Sequence, residues 1–383
     1  MKIAISAGDP SGDEHGAKIV RALRAKNPDI ELFGMGGSHL RAVGVRTIVD
    51  SETEASVMGA SDVIHALPRL RRAFNRLVES LRVEHPDTLL LVDYQEFNLM
   101  LAKAAKKLGI RTVFFIAPTV WAWRPGRAKQ FAKYVDHLAC IFPFEPKVFQ
   151  ELGYDRATFV GHPFTDTPGL FEYSDEQKEK IRSELGIPPD HKVVALFPGS
   201  RKQEVKLLLN ELLSGFALAQ KQHGKLAAVI PVPSSIAVEE IQRQAAHIPN
   251  IYLLPNRSLD ALAISDCGLI KSGTSNLQAA MMCVPFTMVY RAGWLMSFVV
   301  KRFVGVNNYS IVNIIREGSV KELVTPDAVT PKNLAEEILQ LLTDTKKIGE
   351  IRTALKEVKE KLSGVGSGVP VAERVCELVG QES

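Results

Sequence analysis

The sequence predicts an α/β chain of two Rossmann-like, doubly wound domains facing an interdomain cleft. Short apolar runs alternate with periodic helical stretches, and most runs are continuous, as in parallel strands covered on both faces. Three of these runs enter a small-residue loop that opens a helix: KIAISAGDPSGDEHG at 2–16, VVALFPGSRKQEV at 193–205 and CGLIKSGTSNLQAA at 267–280. Each puts backbone N–H groups and a positive helix end at the carboxyl edge of a sheet, where anions bind. At 383 residues the chain also exceeds one ordinary core.

The first-half strands are IAISA, ELFGMG, TLLLVD, TVFFIA, HLACIF and ATFVG. VVALFPG, LAAVIPV, IYLLP, CGLIK and PFTMVYR follow in the second half, with AKIVRALRAKN and VKLLLNELLSGFALAQKQ among the intervening helices. The polar stretch YSDEQKEKIRSELGIPPDHK separates VGHPF from the next buried strand and marks the boundary. The expected division is an N-terminal domain over 1–170, a C-terminal domain over 185–345 and a helical, Lys/Glu-rich tail over 346–383 that crosses back to the first domain.

Composition narrows the class. With 46% hydrophobic and 23% charged residues and a mean hydropathy of +0.02, the chain reads as globular. A net charge of +4 is too small to argue for nucleic acid. Cys140, Cys267, Cys283 and Cys376 lie far apart, which suits reduced cytosolic thiols and neither a disulfide framework nor a zinc site. No apolar run reaches a membrane span, and the first strand starts at Lys2, which leaves no room for a signal peptide.

The loop Ser6–Asp13 lacks GxGxxG and GxxxxGK[ST], and its two carboxylates, Asp9 and Asp13, would repel phosphate. It suits hydroxyls or a proton instead: Asp9 is read as touching an acceptor or as a helix cap, Asp13 as structural, and Ser11 as a further acceptor contact. Asp93 directly follows the buried run TLLLV, where a partly desolvated carboxylate can deprotonate a hydroxyl or simply make a turn; Glu96 and Asn98 lie nearby. In FFIAPTVWAWRPGR, Trp121 and Trp123 beside Arg124 and Arg127 suit a sugar face and a phosphate, with core packing as the alternative.

In the second half, Gly199, Ser200 and Arg201 follow one strand, and Ser272, Gly273 and Thr274 follow another. Together they suit a nucleoside diphosphate, with Gln278 one turn on in reach of a ribose. His162 in VGHPF is either a substrate contact or a hydrogen-bonded structural residue, and Asn313 in NNYSIVNIIRE is a core amide or a substrate contact. The segment 57–82 sets Val63, Ile64, Leu67, Leu70, Phe74 and Leu77 beside Arg69, Arg71, Arg72 and Arg76. That pattern fits docking on an anionic membrane surface, or an ordinary helix packed inward.

Taken in order, AGDPSGD, VMG, VDYQEFN, APTVWAWRPGR, VGHPF, FPGSRKQEV, SGT, PFTMVYR and NYSIVNII make the chain resemble lipid-A-disaccharide synthases over nearly its whole length. The resemblance implies a GT-B fold and an inverting, metal-independent glycosyltransferase with no cofactor. Its substrates would be UDP-2,3-diacylglucosamine and 2,3-diacylglucosamine 1-phosphate at the inner-membrane surface. It implies the general base at Asp93, a phosphate contact at Arg201 and an amide near the donor at Asn313. Acceptor contacts would fall to the N-terminal loops, including Ser11, Trp123, Arg124 and His162. Two positions depart from the family pattern: Asp9 stands for a glutamate, and Gln278 for the glutamate that grips the ribose. Lys271 adds a charge just before the Ser-Gly-Thr loop. Other readings are a UDP-N-acetylglucosamine 2-epimerase of the same fold, or a weakly active paralogue that binds lipid or nucleotide-sugar.

Overall fold

The computed structural model describes residues 1–55, 62–121, 126–291, 308–363 and 369–380. The chain forms two compact units, Met1–Thr167 with Leu362–Ser383, and Pro168–Lys361.

In the first unit the strands are β1 Lys2–Ala7, β2 Glu31–Gly36, β3 Arg46–Asp50, β4 Thr88–Val92, β5 Arg111–Phe115, β6 His137–Cys140 and β7 Ala157–Phe159. They pair parallel in the order β3-β2-β1-β4-β5-β6-β7. Its helices are α1 Pro10–Lys26, α2 Ser38–Ala42, α3 Asp62–Glu84, α4 Gln95–Lys107, α5 Arg127–Tyr134 and α6 Glu145–Glu151. The continuous apolar runs are explained by burial on both faces. Leu89 and Leu91 of β4 join one cluster with Phe97, Phe114 and Phe131, whereas Leu90 and Val92 join the opposite one with Ile19 and Val20.

The second unit has helix α7 Asp175–Leu185 and strands β8 Lys192–Phe197, β9 Leu226–Val232, β10 Ile251–Pro255, β11 Cys267–Lys271, β12 Phe286–Val289 and β13 Glu322–Leu323. They pair parallel in the order β10-β9-β8-β11-β12-β13. Around them lie α8 Lys202–His223, α9 Val238–Ala245, α10 Ser258–Ala263, α11 Thr274–Met281, α12 Ile311–Ile315, α13 Pro331–Thr343 and α14 Thr345–Leu362.

The tail is not one piece. Helix α14 stays with the second unit, where Ile351, Leu355 and Val358 are buried and Arg316 pairs with Glu357 at 2.6 Å. The last helix, α15 Val371–Gly380, lies on α1. Asp166 caps it by accepting from the N–H groups of Val371 (2.6 Å) and Ala372 (3.2 Å). Arg111 closes its other end by donating to the carbonyls of Leu378 (2.8 Å) and Val379 (3.1 Å). The boundaries therefore fall at 167/168 and 361/362, not at 170 and 346.

Along α3, Ala73, Leu77 and Leu81 pack into the core with Leu70 and Phe74 against them, so most of its apolar stripe points inward. Leu67, Arg71, Arg72 and Arg76 are exposed, while the side chains of Val63 and Ile64 lie outside the described residues. No helix among the described residues is long and apolar enough to cross a membrane.

Candidate active site

Both sheets reverse their winding direction once, between β1 and β4 in the first unit and between β8 and β11 in the second. Loops at such a switch point diverge and leave a crevice at the carboxyl ends of the strands. The loops carrying Asp9, Asp93, Gly199–Arg201 and Ser272–Thr274 begin at these four strand ends, whereas the aromatic stretch follows β5 and His162 follows β7.

At the first switch point two carboxylates meet. Asp9 follows β1 and caps α1 through Oδ1, which accepts from the N–H of Gly12 at 3.3 Å. Asp93 follows β4, and its N–H donates to the carbonyl of Phe115 at 2.9 Å. Asp93 (φ 47°) and Tyr94 (φ 46°) both take the left-handed conformation, which costs a side-chain-bearing residue about 1–2 kcal/mol. Asn98 holds this strained turn: its amide donates to the carbonyls of Asp93 (2.8 Å), Val92 (3.2 Å) and Ser6 (3.2 Å), and its oxygen accepts from Ser6 Oγ at 2.6 Å. Gly8 completes the fit, since a Cβ there would lie 2.2 Å from the Tyr94 ring.

Burial pushes the Asp93 carboxyl up to about 6, and the neighbouring Asp9 charge adds to the rise. Burial also raises Asp9, against the stabilising Gly12 N–H. A carboxylate poised near neutrality is suited to accept a proton from a hydroxyl. Asp13 acts on this pair only through its charge, which adds to the rise of Asp9. It is buried, and it accepts from the N–H groups of Gly37 (2.6 Å), His39 (2.8 Å) and Leu40 (3.2 Å), which anchors the start of α2.

Ser11 is exposed on the first turn of α1, its Oγ 3.4 Å from His15 Nε2. The reading of His162 as an acceptor contact gives way to a structural one. Its Nδ1 accepts from the N–H of Phe164 at 3.2 Å to cap the turn Pro163–Asp166, and its ring packs 4.6 Å from Phe164 and 5.5 Å from Phe142. Burial pushes its pKa down to about 3, so the imidazole is neutral. Trp121 is half-buried, and Trp123, Arg124 and the segment VMG lie outside the described residues. Arg127 donates to Gln95 Oε1 at 3.2 Å and pairs with Glu96, which ties the aromatic loop to the loop of Asp93.

At the second switch point a cavity of about 580 Å³ opens. Gly199, Ser200, Arg201, Lys271, Ser272, Gly273, Thr274 and Gln278 all line it. Helix α11 begins there with no side-chain cap, so its first N–H groups open toward the cavity that Ser272 and Thr274 line. The loop after β8 is different. Glu204 Oε2 accepts from the N–H groups of Ser200 (3.0 Å) and Arg201 (3.3 Å), and Oε1 pairs with Lys271 at 2.8 Å. Burial alone would raise Glu204, but the Lys271 ammonium and the two N–H groups outweigh it and hold it below the usual range. Lys271 is thus tied to a carboxylate and does not stand as an isolated charge. Arg201 is 84% exposed, and its Nη1 lies 3.8 Å from Glu204.

Asn313 is the core amide and forms no part of the cavity wall. Its NH₂ donates to Glu322 Oε1 (2.7 Å) and the Val320 carbonyl (2.9 Å), and its oxygen accepts from the Val320 N–H (2.9 Å). Both ends of the amide are therefore used inside the fold. Glu322 in turn accepts from the N–H groups of Tyr309 and Ser310, and the Tyr309 carbonyl accepts from Ser272 Oγ at 3.0 Å. Asn313 supports the cavity from behind.

Sequence reasoning missed Asn256, Arg257 and Ser258, which also line the cavity. Their signal was position, directly after the apolar run IYLLP. A second cleft of about 610 Å³, lined by Tyr173, Cys283 and Arg352 among others, sits at the opposite, amino edge of the same sheet. It contains none of these loops.

Solved structures share this architecture. UDP-GlcNAc 2-epimerase from Neisseria meningitidis bound to UDP-GlcNAc matches with a TM-score of 0.62 at 13% identity, over 94% of this chain and 99% of that one. The calicheamicin glycosyltransferase CalG4 matches with a TM-score of 0.58 at 14% identity, over 98% and 97%. At such identities the likeness fixes the fold, and the fold is the two-domain GT-B class.

The family model for lipid-A-disaccharide synthetase matches residues 3–367. Lipid-A-disaccharide synthase of Anaeromyxobacter dehalogenans strain 2CP-C is 37% identical, over 98% of this chain and 96% of its own length. That of Myxococcus xanthus strain DK1622 is 33% identical, over 99% and 97%. The chain belongs to the lipid-A-disaccharide synthetase family, and it is a hexosyltransferase of lipid A biosynthesis. Its substrates are accordingly a UDP-sugar and a lipid A precursor, and the epimerase reading is not favoured.

Proposed function

We propose that the chain transfers 2,3-diacylglucosamine from UDP to the 6-hydroxyl of 2,3-diacylglucosamine 1-phosphate, with Asp93 as general base. The acceptor oxygen forms a bond to the anomeric carbon, and its proton passes to the Asp93 carboxylate. The carbon–oxygen bond to UDP breaks, and its electron pair stays on the departing diphosphate. Attack from the face opposite UDP turns the α linkage into β. What carries this reading is the carboxylate pair at the first switch point, with Asp93 pushed up to about 6.

Asp9 raises the basicity of Asp93 and touches the acceptor, with Ser11, Trp123 and Arg124 as further acceptor contacts. The donor's diphosphate lies on Ser272, Gly273 and Thr274 and the first turn of α11, next to Gly199 and Ser200. Arg201 extends to the departing phosphate and stabilises its charge, and Gln278 bonds the ribose. An amide holds the ribose hydroxyls more weakly than a carboxylate would, by about 1–2 kcal/mol.

The protein works in the cytoplasm at the inner-membrane surface, where both acylated substrates reside. The exposed Leu67, Arg71 and Arg72 on α3 support docking on anionic lipid.

The test is incubation of the purified protein with both substrates on lipid vesicles, followed by mass spectrometry. A disaccharide 1-phosphate and UDP are expected, faster on anionic than on zwitterionic vesicles, with the difference lost in the Arg71→Ala/Arg72→Ala variant. A folded protein that binds UDP and yields no disaccharide would overturn the reading; equal rates on both vesicles would remove the membrane part alone.

A further inference from the structure

One buried carboxyl group at the first sheet's carboxyl edge has no role in the transfer described above. Glu145, the first residue of α6, is 0% exposed, and its two oxygens serve different groups. Oε2 accepts from the backbone N–H groups of Ile141 (3.1 Å) and Phe142 (3.0 Å), which closes the turn after β6. Oε1 accepts from the indole Nε1 of Trp121 at 3.3 Å. An amide can cap the turn with its one oxygen, but only a carboxyl group offers the indole a second oxygen. The electrostatic cost is large, since burial pushes the Glu145 carboxyl up to about 8.

Trp121 lies on a loop that is joined to the Asp93 turn at both ends. Its loop leaves the sheet from β5, the strand beside β4, and the end of β5 accepts the Asp93 N–H through Phe115. The loop's far end is tied to Gln95, two residues beyond Asp93, by Arg127. The indole meets Phe142 and Phe144 edge-on at 6.4 and 5.3 Å, and those two rings stack 5.7 Å apart. A half-buried indole fixed by its N–H and backed by two rings presents a rigid apolar face, the surface on which a sugar ring or acyl chain rests.

We infer that Glu145 is a positioning residue that fixes the Trp121 indole as the wall for the acylated acceptor sugar beside Asp93. This rests on the acceptor assignment for the first unit. Glu145→Gln is the selective test: its oxygen can keep the two backbone N–H groups, while its NH₂ then opposes the indole N–H. Expected is an acceptor KM raised roughly tenfold, the worth of one hydrogen bond. The donor KM and kcat stay near wild type, while the melting temperature falls modestly because the indole N–H loses its acceptor. Trp121→Phe raises the acceptor KM similarly, and the double variant is no worse than the poorer single one.

Tryptophan emission gives a readout without turnover. The acceptor monosaccharide phosphate alone changes it in the wild type; Glu145→Gln moves that titration to roughly tenfold higher concentration, and Trp121→Phe removes the share of the change that Trp121 gives. An unchanged acceptor KM or an unchanged emission response in either folded variant, or fully additive losses in the double, overturns the inference. If the wild type shows the emission change yet makes no disaccharide, the transfer reading fails and the wall stands. If it makes disaccharide and Glu145→Gln leaves the acceptor KM alone, only the wall fails.

Discussion

Asp93→Asn is expected to lose about 10²–10⁴-fold in kcat, the range for removing a general base, while its affinity for UDP stays unchanged. The same change should stabilise the first unit. The folded carboxyl sits near 6 against an ordinary 3.8, so the native state binds more protons than the unfolded chain between those values. Stability therefore falls as pH rises from about 4 to 6, and the whole penalty is present at pH 7. A shift of that size corresponds to about 3 kcal/mol, as an order of magnitude, which the neutral amide would recover. Thermal melts at pH 7 and 4.5 check this, with the gain at pH 7 shrinking at the lower pH. A variant that is slower and less stable would mark Asp93 as structural.

Asp13→Ala is expected to destabilise the first unit by about 4 kcal/mol, since three backbone N–H groups at the start of α2 lose their acceptor and each orphaned donor costs about 1–3 kcal/mol. Asp13→Asn keeps one acceptor oxygen and should lose less. Asp9→Ala, which removes a single cap bond at 3.3 Å, should cost only about 1 kcal/mol. Urea melts followed by first-unit probes separate the three. Donor affinity should persist in all of them, because the cavity lies wholly in Pro168–Lys361. Equal losses for Asp9→Ala and Asp13→Ala would contradict the division of roles.

The fold was legible because most strands announce themselves as continuous apolar runs, and each switch-point loop as small residues after one; the edge strands β3 and β13, short or only partly buried, do not. Asp93, Ser272 and Gly199 could be placed from that alone, since a sheet-end position is a matter of local sequence. Residues whose role depends on a distant partner could not. Glu204 looks like a solvated helix residue until Lys271, from another strand, is found beside it. Glu145 and Trp121 lie 24 residues apart, and nothing local joins them. His162 and Asn313 were read toward substrate because a polar residue in an apolar stretch has two explanations. Only their partners, Phe164 and Val320, decide for the core. The point at which the tail passes from one unit to the other is illegible for the same reason: α14 and α15 carry similar amphipathic patterns, and the pattern does not say which unit covers each.

The most direct check of the mechanism is the pH dependence of kcat/KM for the acceptor, in the wild type and in Asp9→Asn. Asparagine still caps the helix but carries no charge, so it removes only the repulsion that Asp93 feels from its neighbour. The expected wild-type profile falls on the acid side with an apparent pKa near 6, and Asp9→Asn moves that limb to lower pH while leaving it above the ordinary 3.8, because burial remains. A limb near 4 in the wild type, or one that Asp9→Asn does not move, would contradict the proposal that the paired carboxylate at this switch point takes the acceptor's proton.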